Sequence, residues 1–275
     1  MKSQVKTPQS FIFGLQWIIV GSRFEWDNNR SKEFTFLHKN CFPTDDSFMT
    51  LAIGAALLRC RTDFSDLSEQ AVEWMQVIGR AYPNGAYGNR FNGWLYNEHP
   101  QPYNSFGNGA AMRVSAVAYV AGSISEVKEL THAVTAVTHN HPEGLKGAEA
   151  TAVAIYMART GSSLKDIRRH ITRHYYEIDF TQDDIWEDYL FDETCQRTVP
   201  QALQAFFESS GFEDAIRNAI SIGGDSDTLA AITGSVAAAY YGVPTDIRQK
   251  IMEYMDKFHL SILREFERRY PAAAK

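Results

Sequence analysis

Leu229 to Tyr241 is apolar on nearly every face of a helix and rich in Ala and Gly. Such a helix has no side to give to water, so it must lie at the centre of a fold thick enough to surround it, where small residues admit close neighbours. Directly ahead of it stands Gly223-Gly224-Asp225-Ser226-Asp227-Thr228, and a second acidic cluster, Thr44-Asp45-Asp46-Ser47, runs likewise into the apolar segment Phe48 to Cys60. A core helix that begins in carboxylates gives polar groups a rigid mounting.

Taken singly, each cluster reads as a helix cap. Asp45 with Asp46 and Asp225 with Asp227 are too close in sequence to share a helix face, since facing pairs lie three or four residues apart. They fit loop-to-helix junctions, where Asp, Ser and Thr bond to orphan N–H groups and the helix dipole favours negative charge. Taken together, the clusters read differently. If the fold joins them, each like-charge pair near 4 Å costs on the order of 4 kcal/mol at an effective dielectric of about 20, and cations must sit between. The donors are carboxylate and hydroxyl oxygens, a set that selects Mg²⁺, Mn²⁺ or Ca²⁺ over zinc.

The rest of the chain is helical in pattern. Phe48 to Cys60, Ser68 to Arg80, Ala110 to Ala121, Ile124 to His139, Ala148 to Arg159, Ser163 to His174, Val199 to Glu208, Phe212 to Ile220, Leu229 to Tyr241 and Thr245 to Arg269 carry apolar residues at helical spacing. No stretch alternates as a strand does, so the expected architecture is an all-α globule of about ten helices over residues 1–275, a single domain. Ala81 to Gly109, rich in Gly, Asn, Pro and aromatic residues, reads as an ordered functional loop. Phe11 to Val20 has the length of a signal-peptide apolar core but no A-x-A-like cleavage site after it, and reads as a buried first helix.

At 275 residues and 44% hydrophobic, the chain can bury a large core. A net charge of −6 and a pI near 5.8 argue against non-specific nucleic-acid binding and against an anionic membrane. Cys41, Cys60 and Cys195 are odd in number and widely spaced, which fits free thiols in a reducing cytoplasm.

Five elements in order carry a resemblance: Gly21-Ser22-Arg23-Phe24-Glu25, Thr44-Asp45-Asp46-Ser47, Ser105 to Val114 (SFGNGAAMRV), Thr138-His139-Asn140-His141-Pro142, and Gly223 to Thr228. The chain resembles the ADP-ribosylglycohydrolase family. The resemblance implies a compact orthogonal multi-helix bundle with a binuclear metal cleft, in which Thr44, Asp45, Asp46, Asp225, Asp227 and Thr228 hold two Mg²⁺ (or Mn²⁺) ions. It implies hydrolysis of the C1″ glycosidic bond joining ADP-ribose to a modified protein or other acceptor, with ADP-ribose as product. Asp45, Asp46 and Asp225 then belong to the catalytic set with Glu25, which positions or deprotonates water or protonates the leaving group; without the family, Glu25 reads as a surface charge.

The SFGNGAAMRV element places Asn104, Ser105, Phe106, Gly107, Asn108 and Gly109 before a helix starting near Ala110, whose N–H groups suit a pyrophosphate. Arg113 reads equally as a structural ion pair or a substrate contact. His139 matches a phosphate-side histidine of the family; on its own, with His141 and Pro142, it reads as a polar helix end. The acidic run Asp183, Asp184, Glu187, Asp188, Asp192 and Glu193, interspersed with Trp186, Tyr189 and Phe191, reads as a solvated face before a wall for adenine or acceptor.

One departure stands out. Where the family has Gly-Asp in the first helix, this chain has Trp17-Ile18, losing a carboxylate that supports the site from behind. The expected protein is a cytoplasmic monomer that reverses ADP-ribosylation. Two rival readings are a weak or silent ADP-ribose-binding or crystallin-like structural member and a metal-dependent nucleotide phosphoester hydrolase.

Overall fold

A computed structural model describes residues 15–271. Fifteen helices follow one another there: α1 (Leu15–Gly21), α2 (Asp45–Arg59), α3 (Leu67–Ala81), α4 (Asn89–Leu95), α5 (Gly109–Met112), α6 (Val117–Val120), α7 (Ile124–Thr135), α8 (Pro142–Arg159), α9 (Leu164–His174), α10 (Gln182–Ile185), α11 (Cys195–Phe207), α12 (Phe212–Ser221), α13 (Ser226–Tyr241), α14 (Thr245–Met252) and α15 (Lys257–Arg269). No strand occurs among the described residues, where Gly107 and Thr194 form an isolated antiparallel bridge. The all-α expectation holds. No helix among the described residues is long and apolar enough to cross a membrane.

α13 is the axis, with 13 of its 16 residues buried, and α1, α8, α11 and α12 pack around it. α2 is equally enclosed, with residues 46–58 all buried, between α3, α15 and α1. The two helices that begin in acidic residues are therefore both interior. Close approach explains the small residues of α13: a Cβ on Gly234 would lie 2.2 Å from the Trp17 ring, and only glycine leaves room for the indole. Cys41, Cys60 and Cys195 are buried free thiols.

Several boundaries differ from the pattern. Residues 110–121 form two short helices instead of one, interrupted around Arg113, whose buried side chain bonds to Thr138 Oγ1 across the fold (2.6 Å). Residues 245–269 break before Asp256, which caps α15 by accepting from His259 N (2.9 Å). Ala81 to Gly109 contains α4. Pro142 begins a helix where a helix end was expected, because proline at the first position loses no bond there and His141 Nδ1 accepts from Glu143 N (3.1 Å). Of Phe11 to Val20, the described portion from Leu15 is helical, with residues 17–20 buried; residues 11–14 lie outside the described residues.

Candidate active site

Thr44 and Asp225 occupy the N-cap positions of α2 and α13, yet neither side chain makes a capping bond. Both are aimed elsewhere. Asp225 Oδ2 accepts from Asn108 Nδ2 (2.6 Å), and Thr44 Oγ1 is buried with no protein partner. The turn before α13 depends on Gly223 and Gly224, both left-handed (φ 75 and 71). A Cβ on Gly223 would lie 2.4 Å from Asn28 Oδ1, and one on Gly224 2.6 Å from the Tyr189 ring. Asn28 Oδ1 in turn accepts from Gly224 N (2.9 Å), while Gly21 rests on the backbone of Ser226 and Asp227.

The two clusters meet. Asp45, Asp46 and Asp227 each bring a carboxylate oxygen within 4.8 Å of the others, and Thr228 Oγ1 donates to Asp46 Oδ2 (3.0 Å). Asp46, Asp225 and Asp227 are buried and Asp45 is partly open to the cleft. Burial, followed by the charge of Asp227, holds the Asp45, Asp46 and Asp225 carboxyls well above the usual range. Burial also pushes Glu25 up to about 7, with Asp227 and then Glu193 adding to it. The fit to hard divalent cations is good: several buried carboxylates repel one another, every donor is oxygen, and a buried Thr44 hydroxyl stands beside them without a partner.

This crowding has a measurable sign. Glu25 has a folded-state value of about 7 against an ordinary 4.5, so the stability it contributes is complete below about 4.5 and is lost as pH rises through 7. The three aspartates act in the same direction. In EDTA the protein should therefore melt at a higher temperature near pH 6 than near pH 8, and saturating Mg²⁺ should raise the melting temperature near pH 8. A calorimetric scan in EDTA showing a lower melting point near pH 6 contradicts the repulsion.

The acidic pair of helix starts lines a cleft of about 580 Å³. Its wall includes Glu25, Asp45, Asp46, Asp225, Asp227, Thr228, Ser105, Gly107, Asn108, Gly109 and His139, all singled out by sequence. Thr44 lies behind the wall. Asn104 and Phe106 do not line it: Asn104 N bonds to Asn140 Oδ1 (2.7 Å), and Phe106 is an exposed ring set edge-on to His141 at 5.2 Å. The expected helix N-terminus for a pyrophosphate is only the four-residue α5, with Ala110, Ala111 and Met112 N–H groups bonded to Gly107 O and Asn108 O. Those donors are already used.

Sequence reasoning missed part of the cleft wall. Arg90, Tyr103 and Tyr87 line it with Arg113 and His139, and the only sequence signal was the composition of the 81–109 loop. Arg113 is 1% exposed, and its hydrogen bonds run to Thr138 Oγ1 and toward His139 Nδ1 (3.4 Å), not to the carboxylate an ion pair would need. Burial, then Arg113, lowers His139 well below its ordinary value, so the imidazole is neutral. Arg90 donates to the Tyr103 carbonyl and lies over its ring (4.8 Å). The cleft thus joins carboxylates with two guanidinium groups, and Asp45 lies near enough to Arg113 for its charge to act on it. Phe191 and Glu193, expected on a solvated face, also reach its wall, as does Trp26.

Comparison with known proteins matches residues 19–272 to the ADP-ribosylglycohydrolase model. The chain belongs to this family. It is 26% identical over 237 residues to the ADP-ribosyl-[dinitrogen reductase] glycohydrolase of Rhodospirillum rubrum, covering 83% of this chain and 78% of that one. It is 26% identical to ADP-ribosylhydrolase ARH3 of Bos taurus, covering 73% and 70%. It is also 26% identical to the ADP-ribosylarginine hydrolase Tri1 of Pseudomonas putida (strain GB-1), covering 73% and 59%. A solved ADP-ribosylglycohydrolase-related protein complex superposes with a TM-score of 0.66 at 21% identity, covering 93% of this chain and 94% of that one, a likeness of fold. The fold is the all-α fold of the family, and the family is one of ADP-ribosyl hydrolases.

Within this family site Asn108 is the residue whose role is most sharply defined by geometry. Its amide donates to Asp225 Oδ2 and to Thr198 Oγ1 (3.1 Å), so it orients a carboxylate more than it offers itself to a ligand. If Asp225 holds a cation, Asn108→Ala should weaken Mg²⁺ binding by about 10- to 100-fold, the usual loss when a group orienting a ligand is removed. Isothermal titration with Mg²⁺ checks this, and unchanged affinity contradicts it.

Proposed function

We propose that the protein is a divalent-cation-dependent hydrolase that releases ADP-ribose from a modified acceptor by cleaving the C1″ glycosidic bond. The observation that carries this reading is the convergence of Asp45, Asp46 and Asp227 oxygens within 4.8 Å in a cleft that Arg90 and Arg113 also line. Thr44, Asp45, Asp46, Asp225, Asp227 and Thr228 would hold two Mg²⁺ or Mn²⁺ ions. When bound, such ions polarise substrate oxygen and lower the pKa of a water molecule.

The chain's own groups do the rest. Asn108 and Thr228 fix the carboxylates of Asp225 and Asp46. Arg90 and Arg113 offer positive charge to the diphosphate, and neutral His139 can hydrogen-bond beside them without titrating near pH 7. Glu25 lines the cleft beside Asp227 with a value near neutrality, which suits a group that takes a proton from attacking water and returns it to the departing acceptor. Water oxygen joins C1″, the C1″–acceptor bond breaks, and the proton leaves with the acceptor. Trp17-Ile18, buried where the sequence resemblance leads one to expect Gly-Asp, favours a weaker enzyme or a silent binder as the second reading.

The test is incubation of the protein and Mg²⁺ with arginine-linked, serine-linked and nucleobase-linked ADP-ribose, with Asp225→Ala as control. Free ADP-ribose from at least one acceptor, absent with the variant, is the expected result. Phosphate release points to a phosphoester hydrolase; ADP-ribose binding without turnover points to the silent reading.

A further inference from the structure

We propose that the cleft rim beside Glu25 is a docking surface for a basic polypeptide segment, the stretch of acceptor protein that flanks the ADP-ribosylated residue. This rests on the hydrolase reading and decides what that reading leaves open, whether the acceptor is a protein or a small molecule.

Nine large hydrophobic side chains are exposed among the described residues, and four of them, Trp26, Trp186, Leu190 and Phe191, come from the two segments that meet at this rim. Trp26 and Phe191 stack at 5.1 Å and 21°, yet the indole remains 77% exposed. The meeting is fixed by Arg30, whose guanidinium donates to the carbonyl oxygens of Trp186, Tyr189 and Ile222. That knot turns Arg30 toward backbone carbonyls, and Arg23, the other arginine of the first segment, donates to Thr35 O (2.6 Å) and lies over the Phe24 ring (4.2 Å). Acids outnumber cations on these segments: Asp27, Asp183, Asp184, Glu187, Asp188 and Glu193 are exposed, against Lys32, residues 181–196 contain no Lys or Arg, and the adjoining Arg197 is paired to Asp192 (3.1 Å).

Open aromatic faces ringed by carboxylates recognise Lys and Arg side chains, through stacking of the cation on the ring and steering by the surrounding charge. A nucleic-acid acceptor would meet those carboxylates with its phosphates and be repelled. A small acceptor seated in the cleft would explain Trp26 and Phe191 but would leave Trp186 and Leu190, outside the cleft wall, uncovered. A polypeptide running across the rim covers all four.

The test uses the full chain and its double variant Glu187→Lys/Asp188→Lys, two positions outside the cleft. Fluorescence anisotropy follows a labelled, unmodified Lys/Arg-rich peptide, an acidic peptide and a short DNA oligonucleotide. Hydrolysis is measured on the same basic peptide carrying ADP-ribose and on the free ADP-ribosylated amino acid. The basic peptide should bind best, more weakly as salt rises, and about tenfold more weakly to the variant, since each exposed charge pair carries a fraction of the effect and reversal turns attraction into repulsion. KM for the modified peptide should rise by a similar factor while KM for the free ADP-ribosylated amino acid and the melting temperature stay put. Equal binding of basic and acidic peptides, or equal binding by the variant, overturns the proposal, and so does preference for the oligonucleotide. Absence of ADP-ribose release from every substrate sinks the hydrolase reading instead, and the anisotropy still reports on the rim.

Discussion

Asp227→Asn is expected to lower kcat/KM by about 10³-fold, the loss of several kcal/mol of charge stabilisation at about 1.4 kcal/mol per factor of ten, while making the metal-free protein melt at a higher temperature. The two effects have one cause. Asp227 is the first charge, after burial, that raises Asp45, Asp46, Asp225 and Glu25, so it sits where the repulsion is concentrated. Asparagine preserves the shape, and its amide oxygen can still accept the Thr228 N–H that Asp227 Oδ1 accepts at 3.1 Å. The variant therefore removes a charge and alters one further contact, the side-chain hydrogen bond between Asp227 and Asp225. Mg²⁺ should no longer raise the melting temperature. A site strained for function gives more stability and less activity when one charge is neutralised; a variant that loses both would mean that Asp227 holds the fold and not a cation.

The acidic clusters were legible as helix starts because Asp and Thr before an apolar run have a local meaning. Their convergence was not, since nothing within either segment records the other. The structure explains why the cap reading fails even though Thr44 and Asp225 stand at N-cap positions: Asn108 holds the Asp225 side chain, and Asp45 N is bonded to Gly85 O (2.6 Å) from the distant loop. Helix existence followed apolar spacing well, from Leu67–Ala81 to Ser226–Tyr241. Boundaries failed where a side chain is claimed from elsewhere, as Arg113 is by Thr138. Phe191 and Glu193 are exposed as a solvated face is, yet they also reach the cleft wall, which their pattern does not record. Their local pattern is that of a solvated loop, and it is Arg30, more than 150 residues earlier, that gathers the carbonyls of this segment against the cleft.

The departure at Trp17-Ile18 has a structural meaning that leads to the second large effect. Trp17 and Ile18 are fully buried, one turn before Gly21, which touches the backbone of Asp227. The Trp17 ring fills the space above Gly234 and lies 4.1 Å from the Phe212 ring. It therefore ties α1 and α12 to the middle of α13, so an apolar wedge occupies this part of the core. Trp17→Ala should cost about 3–5 kcal/mol, as large buried aromatic truncations do. For a chain of this size that is a fall of roughly 6–20 °C in melting temperature, at about 2–4 °C per kcal/mol. Gly234→Leu on the same background would place side-chain volume into the vacated space and should recover part of the loss, whereas Gly234→Leu alone should destabilise by overpacking against the indole. This coupling between neighbours is read by a double-mutant cycle in urea. Additive effects would mean that the Trp17–Gly234 contact does not set the position of α1, and that the apolar wedge takes no part in supporting the helix that carries Asp227.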